Sequence, residues 1–359
     1  MIVVCKDFEF DGKTLAGQNY SSLNFDDDTT LSSSIAREMD SGSMNQYRTE
    51  INGFGIKYSD TLVFDLHIAK SFDEYTSQEE MEFTPDEYDA LVAWLSSPQE
   101  NKWMTITTEN NKVSKVKGYF SSIQPYDNWG ICYGARCTFT CNSPFSYTEK
   151  TYETNISGVQ NFLLNNESSD YYDYVYPTFV IEPTRNEEIF IHNLSDTEML
   201  DNGTFNISGD VPEKIGALQD KISAYAMTNS LSVEYMMDTE TKDIKLICNG
   251  TGLLFYMTDN YGIKNKYVAY YLETDRQYYI CRGGFFYCTL LSALTVTLDC
   301  KNLGVYDSLD RPVLYTDIGI QDEDEIYWMR LVYGNNSIRA MGNFKLSVSY
   351  LEPRKGLLI

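Results

Sequence analysis

Along most of this chain apolar and polar residues alternate with a period of two, the spacing of strands that bury one face and wet the other. Residues 61–68 place Leu62, Phe64, Leu66 and Ile68 on a single face. Residues 113–120 and 132–140 repeat the pattern on either side of a turn-rich piece, 124–130. In the second half the same reading predicts strands at 176–181, 188–193, 231–235, 244–248, 252–257, 294–300 and 344–350. The last carries Phe344, Leu346, Val348 and Tyr350 on one face.

The period changes to a helical one twice. Tyr88, Leu91, Val92 and Leu95 recur at i, i+3, i+4 and i+7, an apolar stripe that must pack on a sheet. The start of that helix is signed. Thr84 is its N-cap, Pro85 sits at the first position, and Glu87 completes a capping box. Asp86 and Glu87 face the positive end of the helix dipole, Phe83 and Tyr88 form a hydrophobic staple, and Ser96-Ser97-Pro98 ends the helix. A second helix is predicted at 212–228 from Ile215, Leu218, Ile222 and Tyr225. Between 149 and 174 the strand pattern fades, and the polar cluster 165–170 reads as a loop or linker. A domain boundary is therefore expected near residue 150.

The length of 359 residues agrees with about two domains. With 52 Asp and Glu against 28 Lys and Arg, the formal net charge is −24. At 43% hydrophobic and 14% aromatic residues the chain can still build a core, so the acidity does not signal disorder. It argues against nucleic-acid binding, which needs basic residues in excess, and against docking on an anionic membrane. No secretory leader is visible, because Lys6 and Asp7 end the apolar start. The longest uncharged stretch, 283–298, is too short to span a bilayer. A soluble protein without membrane insertion is expected.

Candidate chemistry is sparse. Of the eight cysteines, Cys5, Cys132, Cys137, Cys141, Cys248, Cys281, Cys288 and Cys300, the densest group has spacings C-x4-C and C-x3-C rather than those of a zinc knuckle. Cys137, Phe139 and Cys141 share one strand face. Buried reduced thiols are the main reading, a metal or redox site the lesser one. His67 and His192 read as surface or structural residues. No nucleotide, metalloprotease or serine-hydrolase motif occurs. The acidic run 322–325 lacks the spacing of a calcium loop and reads as a solvated loop. The sequons at Asn166, Asn193, Asn206 and Asn335 are expected by chance. Two tyrosine clusters stand out, Tyr171, Tyr172, Tyr174 and Tyr176 around Asp173, and Tyr267 with Tyr270 and Tyr271. They suit stacking on sugars or burial against a protein partner, or they reflect the preference of tyrosine for strands.

The order of these features resembles the distal tail proteins of long-tailed, siphophage-like bacteriophages. The resemblance runs from Phe8-Glu9-Phe10-Asp11-Gly12 through strand 62–68, the helix ending in Trp94-Leu95 and Lys102-Trp103-Met104. It continues to Phe139-Thr140-Cys141-Asn142-Ser143-Pro144-Phe145. It returns at Leu298-Asp299-Cys300, at Leu331, Gly334, Asn336 and Ile338, and at Tyr350-Leu351-Glu352-Pro353-Arg354, with Tyr333 where the family carries proline. Residues 195–290 have no counterpart in it.

The resemblance implies a mainly β, β-rich α+β fold. A ring-forming belt domain with one packed helix would occupy 1–148 and a linker 149–175. A galectin-like or jelly-roll β-sandwich would occupy 176–359, with 195–290 an insertion or elaboration. It implies a virion structural protein of the tail tip or baseplate, made in the host bacterial cytoplasm. This would be a homo-hexameric ring hub joining the tail tube protein to tail-tip or tail-associated proteins and serving host attachment. DNA would pass through its lumen unbound, and an acidic lumen wall would repel phosphate. No catalytic, cofactor-binding or metal-binding residue is implied, and no partner-contact residue is assigned. The chain is expected not to be an enzyme. The alternative is a carbohydrate-binding or host-recognition module acting through the Tyr-rich second half on a host-surface glycan. A wall-polysaccharide hydrolase ranks below both.

Overall fold

The structure is a computed structural model and describes residues 3–25, 37–41, 53–58, 60–73, 76–171, 173–206, 209–238, 241–291, 293–320 and 326–355. Tyr172 and the acidic run 322–325 lie outside the described residues. The chain is mainly β and divides into two compact units, Met1–Glu149 with Glu352–Ile359, and Lys150–Leu351.

In the first unit antiparallel strands pair in the order Lys13–Thr14, Asp7–Phe10, Lys102–Thr107, Val113–Asn128, Ile131–Cys141, Val63–Lys70 and Tyr20–Leu23. A separate ribbon pairs Arg37–Ser41 with Gly53–Tyr58. Alternation behaves as expected in the Val63–Lys70 strand, where Phe64, Leu66 and Ile68 are buried and Val63 is exposed. On the opposite face Asp65 accepts a hydrogen bond of 2.7 Å from Thr138.

The sheet is covered by helix α2, Pro85–Ser96, which follows a single turn of helix, α1, at Gln78–Met81. The short α1 was not anticipated, although Ser77 and Glu80 form a capping box of their own. Helix α2 starts as its sequence dictates, with the capping box of Thr84 and Glu87 and with Pro85 in the first turn. Leu91, Trp94 and Leu95 are buried, each worth about 1.5–3 kcal/mol when withdrawn from water. The Trp94 indole stacks on Phe8 at 5.8 Å and donates to the Phe10 carbonyl at 3.0 Å, so the largest buried group on the helix leaves no polar atom unmet. Lys70, at the end of its strand, bridges to Glu87 at 2.7 Å and ties the helix start to the sheet.

Two expectations need correction. Residues 124–130 are not a broad turn. The Val113–Asn128 strand runs through Pro125 and Tyr126, which pair with Ala135 and Gly134. Register shifts between Phe120 and Ser122 and between Tyr126 and Asp127 break the alternation that the sequence reading relied on. The turn is confined to Trp129 and Gly130, with φ of 55° and 82°, the positive values that let a two-residue hairpin turn follow strand twist. Likewise, residues 149–166 are not a structureless linker. They belong to the 22-residue strand Phe145–Asn166. Its outward positions are exposed and many inward ones only half-buried, and Thr154, Gly158 and Gln160 interrupt the inward apolar face of Tyr152, Ile156, Phe162 and Leu164.

The second unit has three layers. The Glu187–Asn193 strand pairs with Phe285–Leu290 and with Gly334–Lys355. The latter also pairs with Thr178–Pro183, and Thr178–Pro183 with Val296–Asp299. One face buries Ile189, Ile191, Phe286, Leu298, Phe344 and Leu346. The other presents Phe190, Phe285 and Met341 to a six-stranded sheet in the order Glu198–Thr204, Gln277–Arg282, Lys264–Leu272, Gly252–Thr258, Ser232–Tyr235, with Leu246–Ile247 beside Gly252–Thr258. On that sheet's far face lies helix α3, Val211–Thr228, which buries Ile215, Leu218 and Ile222 as its spacing predicts. Asp210 caps it by accepting from the Glu213 N–H. Strand 244–248 shortens to Leu246–Ile247.

The α2 cap generates a prediction with a pH signature. Lys70, together with the Thr84 N–H and hydroxyl, holds the Glu87 carboxyl down at about 2, against an ordinary 4.5. A carboxyl lowered on folding stabilises the fold above its unfolded pKa, and that contribution is lost as pH falls toward the folded value. Thr84→Ala is expected to lower stability by about 1 kcal/mol in chemical denaturation. Glu87→Gln is expected to be destabilised relative to the parent near neutral pH, with the gap closing as pH falls from 4.5 toward 2. A gap that stays constant with pH contradicts the assignment.

Candidate functional site

Both histidines are structural. His67 is buried in its strand, contrary to a surface placement. Its Nδ1 accepts the Phe25 N–H at 3.1 Å, and its ring stacks on Phe25, which stacks in turn on Tyr126 at 4.2 Å. His192 lies fully buried in the second unit against Phe190 and Phe285. Its Nδ1 is 3.1 Å from the Tyr270 hydroxyl, and that hydroxyl accepts from Arg339 at 3.1 Å. The direction of the bond between the Tyr270 hydroxyl and Nδ1 follows the imidazole tautomer, and Nε2 finds no partner. Burial and then the Arg339 charge push the imidazole down to about 3. Arg339 is anchored by Asn161 at 3.0 Å and lies over the Tyr279 ring. This is a polar knot whose hydrogen bonds join four strands, those of His192, Tyr270, Arg339 and Asn161.

All eight cysteines are free, and every one but Cys132 is buried. Cys137, Phe139 and Cys141 share the buried face expected of them, and desolvation pushes both thiols up to about 12. Among the described residues no group of three or more His, Cys, Asp or Glu is placed to hold a metal ion. Two sequon asparagines are interior. Asn166 donates to the Leu331 carbonyl, and Asn193 donates to the Arg330 carbonyl and to the Asn336 side chain. Asn336 in turn closes the 331–336 turn by bonding both N–H and C=O of Val332. Asn206 and Asn335 are exposed.

The two tyrosine clusters part ways. Tyr267, Tyr270 and Tyr271 are core residues of the six-stranded sheet. Tyr171, Tyr174 and Tyr176 are exposed, Tyr171 edge-on to Tyr333 and Tyr174 beneath the Arg330 guanidinium at 3.9 Å. Among the described residues the most exposed aromatics are elsewhere, Trp129 at the hairpin turn of the first unit (97% exposed) and Tyr261 at a turn of the second (91%). Sequence reasoning missed both, because a lone aromatic in a turn has no periodicity to betray it.

One cleft in the second unit brings polar groups together. Two recesses of about 350 and 250 Å³ meet at Arg282, Gly283 and Tyr327. The Asp196 carboxylate accepts from the Tyr327 hydroxyl and from Arg330 Nε, both at 2.8 Å. Arg282 donates to Asn265 at 2.9 Å and reaches Glu198 at 3.4 Å. None of these residues was singled out from the sequence, since they converge from four separate stretches of chain.

Residues 3–143 match the family model described as the phage tail protein N-terminal domain. Among solved structures the chain is similar to the Dit protein of phage SPP1, described as a paradigm of the hub adsorption apparatus in phages infecting Gram-positive hosts. That likeness has 10% identity and a TM-score of 0.46 over 97% of this chain and 98% of that one. It is also similar to a chain of the phage P2 baseplate in its activated, calcium-bound conformation, with 8% identity and a TM-score of 0.41 over 98% of this chain and 99% of that one. None of the curated proteins matches the chain.

Two outcomes follow from the buried groups. With a thiol-reactive dye the native protein is expected to show at most one reactive thiol, Cys132, and all eight after unfolding. Rapid labelling of several native thiols contradicts the burial. In histidine-selective NMR, His192 is expected to stay neutral from about pH 7 to about pH 4. Its folded pKa lies below the ordinary 6.5, so the unfolded chain gains a proton that the folded one refuses. Stability should therefore fall as pH drops below 6.5, and titration of His192 near 6.5 would contradict the knot.

Proposed function

We propose that this chain is a structural protein of a phage tail, the hub that closes the far end of the tail tube as a hexameric ring. The observation that carries the reading is the match of residues 3–143 to the phage tail protein N-terminal domain, because that span coincides with the first compact unit less its ends. The ring contacts would come from that unit, and the tube protein and the tip proteins would dock on opposite rims. The protein would act within the virion, by assembly and not by turnover.

Charge constrains how such a ring can form. Each copy brings a net −24, so neighbouring copies repel unless their contacts are built from uncharged groups and backbone. The first unit offers both. Lys13–Thr14 and Tyr20–Leu23 are the outermost strands of its main sheet among the described residues, and an outer edge can pair with a second chain. Trp129 presents a whole indole at the hairpin turn. The excess carboxylates would then face solvent and the central channel, where negative potential keeps passing DNA from adhering.

The test is the mass in solution. The reading predicts a species of six times the 41.2 kDa chain in light scattering. It should be favoured as salt rises from about 0.01 M to about 1 M, because the screening length shrinks from about 30 Å to about 3 Å. A mass of one chain at every salt concentration contradicts it.

A further inference from the structure

We propose that Asn249 is a site of spontaneous covalent modification, at which the Gly250 backbone nitrogen displaces the side-chain amide and leaves aspartate and isoaspartate. The chain holds three Asn-Gly pairs, at 52–53, 202–203 and 249–250. Asn52 lies outside the described residues. The other two pairs share one chemistry and have opposite settings. Glycine is the residue that shields its own nitrogen least, because it has no Cβ beside the path of attack.

Asn249 is exposed in the turn 248–251. The turn joins Leu246–Ile247 to Gly252–Thr258, and the pair of Ile247 with Gly252 fixes its two ends. Cys248, Asn249 and Gly250 all have positive φ, of 56°, 55° and 83°. Two residues with side chains in the left-handed region store strain, which the turn releases as it rotates. The Asn249 N–H donates to Glu188 at 2.9 Å, and the Thr251 N–H and hydroxyl both donate to the Cys248 carbonyl. Neither the Asn249 side-chain amide nor the Gly250 N–H takes part in a hydrogen bond among the described residues. The two reacting groups can therefore meet without first giving up a partner.

Asn202 is held. It lies in the Glu198–Thr204 strand opposite Tyr279, and Gly203 lies opposite Tyr278. The Tyr278 ring packs over Gly203, 3.3 Å from the place of a Cβ. Closing a ring there requires the backbone to leave its extended conformation and open the strand pairing, and the cost of that opening slows the reaction.

The chemistry needs only water. The Gly250 nitrogen loses its proton to solvent base and bonds to Cγ of Asn249. The bond from Cγ to the side-chain nitrogen breaks, and that nitrogen takes up a proton and leaves as ammonia. Water then opens the five-membered imide at one of its two carbonyls. One opening restores the backbone as aspartate, and the other routes it through the side chain as isoaspartate. Either product adds a negative charge to the −24 of the chain, beside the Glu188 carboxylate. Isoaspartate also lengthens a turn whose flanking residues Ile247 and Cys248 are buried, so it pulls on the edge of the six-stranded sheet.

The modification needs neither ring nor tail, so it and the hub reading stand or fall separately. The test is peptide mass mapping of the full chain aged in mildly alkaline buffer, once folded and once in urea. In urea both pairs are expected to convert at similar rates. In the folded chain Asn249 is expected to convert at least about tenfold faster than Asn202, with isoaspartate among its products. Direct hydrolysis of the side chain by water would give aspartate alone. Equal conversion of the two residues in the folded chain, an unconverted Asn249, or aspartate as its sole product overturns the proposal.

Discussion

Phe139 is where the first unit closes. Its ring meets Phe10, Phe64 and Phe120 at centroid distances of 6.0, 5.4 and 5.1 Å, and each of these comes from a different strand. The contacts with Phe10 and Phe120 are edge-to-face, a geometry worth about 0.5–1.5 kcal/mol per pair beyond the area buried. The ring can sit there only because the Ile131–Cys141 strand is hydrogen-bonded along both edges, to Val63–Lys70 and to Val113–Asn128. Helix α2 then lies against Phe8 and Phe10 through Trp94, so the helix depends on a core that the strands have already assembled. Phe190 has the matching place in the second unit, facing Tyr270 and Phe285 from a strand paired on both sides.

These cores explain how a chain of net charge −24 folds without difficulty. Charged groups are kept outside the apolar clusters, and most interior polar groups that remain are tied to partners, as Arg339 is to Tyr270 and Asn161, while His192 Nε2 is left without one. The surface is left strongly acidic and studded with a few bare aromatics. For an isolated molecule the charge keeps copies apart. For a component of a ring it confines contacts to uncharged surface and strand edges, so the same charge that keeps single copies apart would restrict the ways in which they join.

Legibility in the sequence followed the wetting of the strands. Residues 344–350 were readable because one face is buried and the other is not, and 62–68 because Leu62, Phe64, Leu66 and Ile68 are all buried, even though His67 on the opposite face is buried as well. The α2 start was readable down to its cap, because Thr84, Pro85 and Glu87 act locally. Helix α3 was readable from Ile215, Leu218 and Ile222. The Phe145–Asn166 strand was not, because Thr154, Gly158 and Gln160 alternate with Tyr152, Ile156, Phe162 and Leu164 on its inward face and dilute the apolar period. The far part of Val113–Asn128 was hidden by bulges that shift the phase. The cleft was the least visible feature. Asp196, Arg282, Tyr327 and Arg330 are ordinary residues in sequence, and they converge from the Leu194–Asp196 turn, the end of the Gln277–Arg282 strand and the irregular segment that holds Tyr327 and Arg330. Tyr267, Tyr270 and Tyr271 follow the preference of tyrosine for strands, since two sheet faces each claim some of them for the core.

The central proposal is that this chain acts as the hexameric hub of a phage tail. Electron cryomicroscopy of assembled tails tests it most directly. The account predicts a ring of six copies at the far end of the tube, with the first unit forming the ring wall around an open channel. Tails that lack the chain, or that hold it away from the tube end or in a different symmetry, would contradict it.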